Sequence, residues 1–246
     1  VSPDAPRPPN GATAMAARAE PRRTVIRADA LAWLAECPAE PHVSVITSLP
    51  DGSELPEYDF DAWRAWFVRA AEAVLRWVPD DGVAIFYQSD VLSRGVWIDK
   101  SFLVLSAAQA TRHHLVWHKL VCRTAPGRVS AGRPGYSHLL CLAREPRPAF
   151  RTPLPDVLPD AGFEASQKAM GVAACALAVR FVLAETTART VVDPFCGRGT
   201  ALAVANAFGL DAVGVDRNAN CCRAARQLSV SVSELAHGTE PMPSPE

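Results

Sequence analysis

The sequence carries almost no excess charge: 25 lysines and arginines stand against 26 aspartates and glutamates, a formal net charge of −1. That balance excludes a polycation acting through its overall field, so a nucleic-acid partner has to be read from a local cluster. The seven cysteines (Cys37, Cys122, Cys141, Cys175, Cys196, Cys221 and Cys222) include no C-x-x-C pair and have no histidine-rich tract beside them. The pattern argues against a zinc site and a disulfide framework, so no metal is expected and a reducing cytoplasm is the expected setting. The most apolar long segment, 169–188, is interrupted by Arg180 and reads as a buried helix, not a membrane span. The N-terminus offers Pro and Ala where an export signal has a basic and then an apolar region, so no such signal is expected. No internal repeat is visible.

What is present is an alternation of short β-rich runs and longer helical ones, the pattern of a mostly parallel sheet with covering helices in a single domain. Residues 1–23 and 236–246 read as disordered tails, leaving a domain over 24–235. Within it TVIRAD, VSVIT, VAIFY, HLVWHK, YSHLLCLA, TVVDPF and AVGVD read as seven strands, with an antiparallel edge around YSHLLCLA. Helices are expected through Leu31 and Leu34, from Phe60 to Trp77, from Val91 to Ala110, from Phe163 to Glu185, from Thr200 to Phe208 and from Asn218 to Leu228.

The stretch DPFCGRGT joins a strand to a helix, with Gly197 and Gly199 at the turn. Glycine there lets backbone approach a ligand, and the helix start offers unpaired N–H groups, although many tight turns use the same two glycines for packing alone. The following strand ends in Asp216, where a carboxylate can accept both hydroxyls of a ribose. A dinucleotide oxidoreductase would use a similar turn, but D-P-F-x-G-x-G-T lacks the third glycine of that motif.

DPFCGRGT and VGVDRN resemble the cofactor motifs of S-adenosylmethionine-dependent amino-methyltransferases of the DNA methylase N4/N6 type. VITSLPD is similar to that family's strand ending in S/D/N-P-P-Y/F/W. RADAL, VLRWVPDDGVAIF and FEASQKAMGVAACALAVRFV match further motifs, in the order of the circularly permuted β-class branch. The resemblance implies a Rossmann-like class I methyltransferase fold with S-adenosyl-L-methionine as cofactor. It implies that Asp193, Pro194 and the backbone from Gly197 to Gly199 hold the methionine end, with Phe195 lining the pocket and Thr200 capping the helix. Asp216, followed by Arg217, falls at the ribose. Asp29 falls near the adenine, where a helix N-cap is the competing reading. Lys168 stands at the lysine of the helix motif, but Ala169 replaces the proline after it, and a plain surface lysine fits as well.

By the same resemblance, Ser48 and Pro50 keep one acceptor for the target amine, beside the cofactor, and the rigid turn. Leu49 and Asp51 replace the first proline and the aromatic platform. Three readings follow: an enzyme that holds its base in another way, an enzyme for a cationic small-molecule amine drawn by Asp51, or a non-catalytic nucleic-acid- or protein-binding relative. Tyr58, Phe60 or Trp63 offers a substitute stack, or simply packs in its helix.

Between 119 and 151, Lys119, Arg123, Arg128, Arg133, Arg144, Arg147 and Arg151 face only Glu145, and TAPGRVSAGRPGYSH reads as an exposed loop. With Tyr136 and His138 this stretch is a candidate nucleic-acid-facing insert, or else a solvated loop. It is short for a sequence-specific recognition region, which favours RNA such as transfer RNA over DNA, unless a homodimer or a partner protein supplies recognition.

Overall fold

The computed structural model describes residues 20–129, 132–146, 154–162, 164, 169–231 and 235. The chain runs β1 (Arg23–Arg27), α1 (Ala30–Glu36), β2 (Val43–Thr47), a single 3-10 turn (Gly52–Glu54), α2 (Phe60–Trp77) and β3 (Ala84–Gln88). It continues through β4 (Val91–Ser93), β5 (Val96–Ile98), α3 (Lys100–Thr111), β6 (His114–Cys122), β7 (Tyr136–Ala143) and β8 (Val157–Leu158). The last elements are α4 (Val172–Glu185), β9 (Thr190–Asp193), α5 (Thr200–Ala207), β10 (Asp211–Asp216) and α6 (Ala219–Gln227). Four helices begin where a short polar side chain takes an otherwise orphaned amide: Asp29 for α1, Asp59 for α2, Asp99 for α3 and Asn218 for α6.

The main sheet has the order β1-β10-β9-β2-β3-β7-β6-β8. Every pairing from β1 to β3 is parallel, β7 is antiparallel to both β3 and β6, and β8 is a two-residue eighth strand beside β6. β2 and β3 are buried at every position, the polar Ser44, Thr47 and Gln88 included, because helices cover each side. Along β3 the side chains alternate. Ile85 and Tyr87 join the core under α4, α5 and α6, with Phe181 and Leu202. Ala84 and Phe86 join the core under α1, α2 and α3, with Phe67 and Leu75. From the central pair β2 and β9 the chain is wound in opposite directions, to β3 and to β10, which opens a crevice at the carboxyl ends of that pair.

Four expectations shift. Residues 91–98 form the β4–β5 hairpin, with Arg94 (φ 50°) and Gly95 (φ 79°) at its two-residue turn, and helix starts only after Asp99. Helix α4 starts at Val172; of the stretch expected to be helical before it, 169–171 are not helix and 163 and 165–168 lie outside the described residues. Gly171, the N-cap, passes so close to Ala161 that a Cβ there would lie 2.0 Å from the Ala161 carbonyl oxygen. The basic stretch is not one insert, since 119–122 belongs to β6 and 136–143 to β7, which leaves the connection 123–135 and, after β7, 144–146; residues 147–151 lie outside the described residues. At the amino end, Arg23 is already sheet, its guanidinium bonded to the carbonyls of Ala225 and Leu228; residues 1–19 and 236–246 lie outside the described residues.

Candidate functional site

The carboxyl ends of β1, β2, β9 and β10 open into a cavity of 740 Å³, within the usual range for a small-molecule site. Asp193 ends β9 and is 5% exposed. Its Oδ1 accepts from Thr47 Oγ1 at 2.7 Å and from the Phe195 amide at 3.1 Å, which leaves Oδ2 for a ligand. Burial pushes this carboxyl up to about 7, against the lowering effect of those two bonds. A desolvated carboxylate of this kind gains most from a cationic partner.

The two glycines of the turn have separate jobs. Gly197 (φ 50°) lines the cavity, and a Cβ added to it would meet nothing within 4 Å, so it is the point of close backbone approach. Gly199 (φ 85°) lies against α6, where a Cβ would sit 2.8 Å from Ala225 Cα, and it does not line the cavity. Gly199 is also the N-cap of α5, so Thr200 is the first helical residue and not the cap. Asp216 accepts from the Gly197 amide at 3.0 Å and from the Asn218 amide at 2.6 Å; burial raises its pKa. It fixes the glycine turn while facing the cavity.

Phe195 meets Trp66 edge to face, with ring centroids 5.9 Å apart, giving an apolar wall. Asp29 caps α1 through Ala32 and lines the cavity too, so both readings of it hold structurally. Arg217 reaches across to the loop after β2, at 2.6 Å from Glu57 Oε1 and 2.9 Å from the Glu54 carbonyl. That latch joins the β10 end to the loop carrying Tyr58.

A second cavity of 440 Å³ adjoins the first, and Ser48, Leu49, Glu54, Tyr58 and Ala169 line both. Ser48 stands at the junction, and its hydroxyl has no partner among the described residues. Leu49 is 2% exposed and packs in the α2-side core, which explains an aliphatic residue there. The Pro50 carbonyl accepts from Trp63 Nε1 at 3.2 Å, so Trp63 braces the turn from the core; Tyr58 and Phe60 remain part-exposed at the cavity wall.

Asp51 is not a free charge. Its Oδ1 accepts a hydrogen bond from Lys100 Nζ, the side chains being 23% and 4% exposed. Asp51 also starts the 3-10 turn, its amide donating to Glu54 Oε2 at 2.9 Å. Nothing local in the sequence marks Lys100, which lies inside the helix expected over 91–110. Only the fold of the hairpin, which starts α3 at Lys100, turns it inward.

On the same cavity wall stands Asp90, whose Oδ2 lies 3.2 Å from His138 Nε2; His138 Nδ1 in turn lies 3.0 Å from Nε2 of the exposed His118. Once Asp90 has taken up a proton, His138 in its Nδ1–H tautomer can accept it on Nε2 and give its Nδ1 proton to His118, so this chain links the cavity to solvent. The Tyr87 hydroxyl on this wall is buried, near Ser137 but with no partner in hydrogen-bond geometry among the described residues. Burial raises its pKa, with nearby Ser137 acting the other way.

Of the basic candidates, Arg123 and Arg133 line the second cavity. Lys119 does not reach it: its ammonium binds the Leu154 carbonyl at 3.1 Å and Asp156 at 2.7 Å, because its position in β6 points it to the β8 edge. Arg128 is exposed on the connection, and Tyr136 meets His138 edge-on at 5.3 Å; neither lines a cavity. Arg144 pairs with Asp80 at 2.9 Å. Lys168, Arg147 and Arg151 lie outside the described residues.

No family model and no curated protein matches the sequence. Solved structures do match. A Thermus thermophilus protein described as a DNA modification methylase, complexed with S-adenosyl-L-methionine, superimposes with a TM-score of 0.64 at 20% identity, over 84% of this chain and 92% of that one. The PvuII DNA methyltransferase, cytosine-N4-specific, gives 0.64 at 17% identity, over 87% and 89%. The fold is that of the DNA modification methylases. At these identities the likeness concerns architecture; the chemistry has to be argued from this chain's own residues.

Proposed function

We propose that the protein transfers a methyl group from S-adenosyl-L-methionine to an exocyclic amino group of a nucleic-acid base. The observation that carries this reading is two adjoining cavities that meet at Ser48, one ending in buried acid and the other lined by the aromatic Tyr58, Phe60, Trp63 and Tyr87 with both acidic (Asp51, Asp90) and basic (Arg123, Arg133) side chains. The first fits the cofactor by its donor set. Asp193 suits the ammonium of the methionine end, the uncapped start of α5 at Thr200 and Ala201, approached past Gly197, its carboxylate, Asp216 the ribose hydroxyls, and the Phe195–Trp66 wall the adenine. When bound, the cofactor supplies an electrophilic methyl group.

In the second cavity Ser48 Oγ and the Leu49 carbonyl, which accepts no hydrogen bond among the described residues, would accept from the amine and aim its lone pair. Transfer of that methyl group to the amine nitrogen, with the sulfur keeping the electron pair of the bond it gives up, would release one amine proton. Asp90 is the cavity carboxylate positioned to take it, and the His138–His118 chain leads it out. Most of the rate gain comes from positioning. The aromatic contact missing at position 51 falls to Tyr58 or Phe60.

Lys100 weakens the small-amine reading, because the negative charge of Asp51 is already met. The short connection 123–135 also ceases to favour RNA: the two neighbours bear DNA-methylase names and are matched over 92% and 89% of their own lengths. DNA is therefore the first acceptor to test and RNA the second. Incubation with methyl-labelled cofactor and unmethylated DNA or RNA, followed by mass spectrometry of the nucleosides, should yield one N-methylated base. No labelled nucleoside from either polymer would sink the reading. Ser48→Ala should leave cofactor affinity within about twofold while lowering kcat about tenfold, since the bond matters mainly in the transition state. Equal loss in cofactor binding would move Ser48 out of the acceptor role.

A further inference from the structure

The β4–β5 hairpin is separate from the main sheet, and its two faces are used differently. Val91 and Ile98 are cross-strand partners on the inner face; Ile98 is buried and Val91 packs against the α2-side core. Leu92 and Trp97 are partners on the opposite face, and they are 43% and 51% exposed. A solvent-facing strand face is ordinarily polar, so an aliphatic–tryptophan pair held there is an unpartnered apolar surface. Val96, the partner of Ser93 beside the turn, and Phe102 in the first turn of α3 are exposed as well, at 59% and 63%.

The position of the hairpin says what it meets. Val91, Leu92, Ser93 and Arg94 form part of the wall of the second cavity, in which Arg123 and Arg133 also lie. A base can reach Ser48 in that cavity only after leaving its stack, which opens apolar space in the nucleic acid at the cavity mouth. We infer that the outer face of the β4–β5 hairpin, with Leu92 and Trp97 at its centre, is a nucleic-acid contact surface that packs against the bases flanking the one taken into the cavity. Arg94, at the turn, lies where the backbone of such a strand would pass. This inference rests on the methyltransferase reading of the second cavity, and its contacts differ in kind from phosphate contacts: they are apolar and insensitive to salt.

The test uses the full chain with the demethylated cofactor product and a fluorescein-labelled, mixed-sequence DNA duplex, with single-stranded RNA as the second probe. Anisotropy titrations over a salt series should show a Leu92→Ser/Trp97→Ser variant binding at least tenfold more weakly with an unchanged salt slope, whereas Arg123→Ala should flatten the slope. Calorimetry with the cofactor product should give the wild-type affinity, which certifies the fold of the double variant. If the variant binds nucleic acid as wild type does, the hairpin inference is overturned and the function stands. Failure of wild type to bind either probe would overturn both. A wild-type dimer in sedimentation that becomes monomer in the double variant, with nucleic-acid affinity unchanged, would assign the face to a second copy of the chain instead.

Discussion

Asp51→Asn is expected to lower stability by about 3 kcal/mol, the scale for removing one partner of a buried ion pair. In a chain of this length that is a fall in Tm of roughly 6–12 °C. The amide keeps the size of the side chain, so the effect isolates charge. The cost arises on Lys100, whose ammonium is left without an anion at 4% side-chain exposure. The reverse change should be milder. Lys100→Met leaves the carboxylate of Asp51, at 23% exposure, able to recruit water from the cavity. Its expected cost is about 1 kcal/mol. The Asp51→Asn/Lys100→Met double variant should regain most of the loss, because no unpaired charge remains. Thermal melts of the four proteins complete the cycle, and additive single effects would show that the two side chains do not act as a pair.

Asp193→Asn should weaken S-adenosyl-L-methionine binding by roughly 2–5 kcal/mol, at least about thirtyfold, through loss of a desolvated charge pair. The fold should survive, because the Asn carbonyl can still accept from Thr47 and Phe195 as Asp193 Oδ1 does. The pH behaviour gives a second, independent reading. Burial holds the Asp193 carboxyl at about 7 against an ordinary 3.8, so between those values the folded chain holds a proton that the unfolded chain has lost. The stability of the unliganded protein is therefore fully supported below about 4 and falls as pH rises through 7, and the Asn variant should lack that fall. Cofactor binding runs the other way. An ammonium needs the carboxylate, so wild-type affinity should improve about tenfold per pH unit up to 7 and then level off. A flat profile below 7 in calorimetry would remove Asp193 from contact with the ammonium.

The strand pattern, the glycine turn and the acidic ends at Asp193 and Asp216 were legible in the chain because each depends on local chemistry. A run such as VSVIT carries apolar side chains towards both faces, Ile46 on one and Val43 and Val45 on the other, only if both faces are covered. A carboxylate or glycine at a strand-to-helix turn keeps its neighbours whatever the rest of the fold does. Misread boundaries had local causes as well. VLSRGVWI carries no proline or Asn-Gly to announce its turn, and the apolar run into α4 hides the point where Gly171 passes Ala161.

Only tertiary structure decided what the altered tetrapeptide means. Leu49 is a core residue because β2 ends above α2, and Asp51 is neutralised because the hairpin carries Lys100 inward from 49 positions away. The same holds for Arg217 on Glu57, 160 positions apart, and for Lys119, which the β8 edge claims for Asp156. Local sequence determines which side chains end a strand or cap a helix. Which charges cancel, and which carboxylates stay free at the cavity wall, depends on contacts between distant segments that no periodicity encodes.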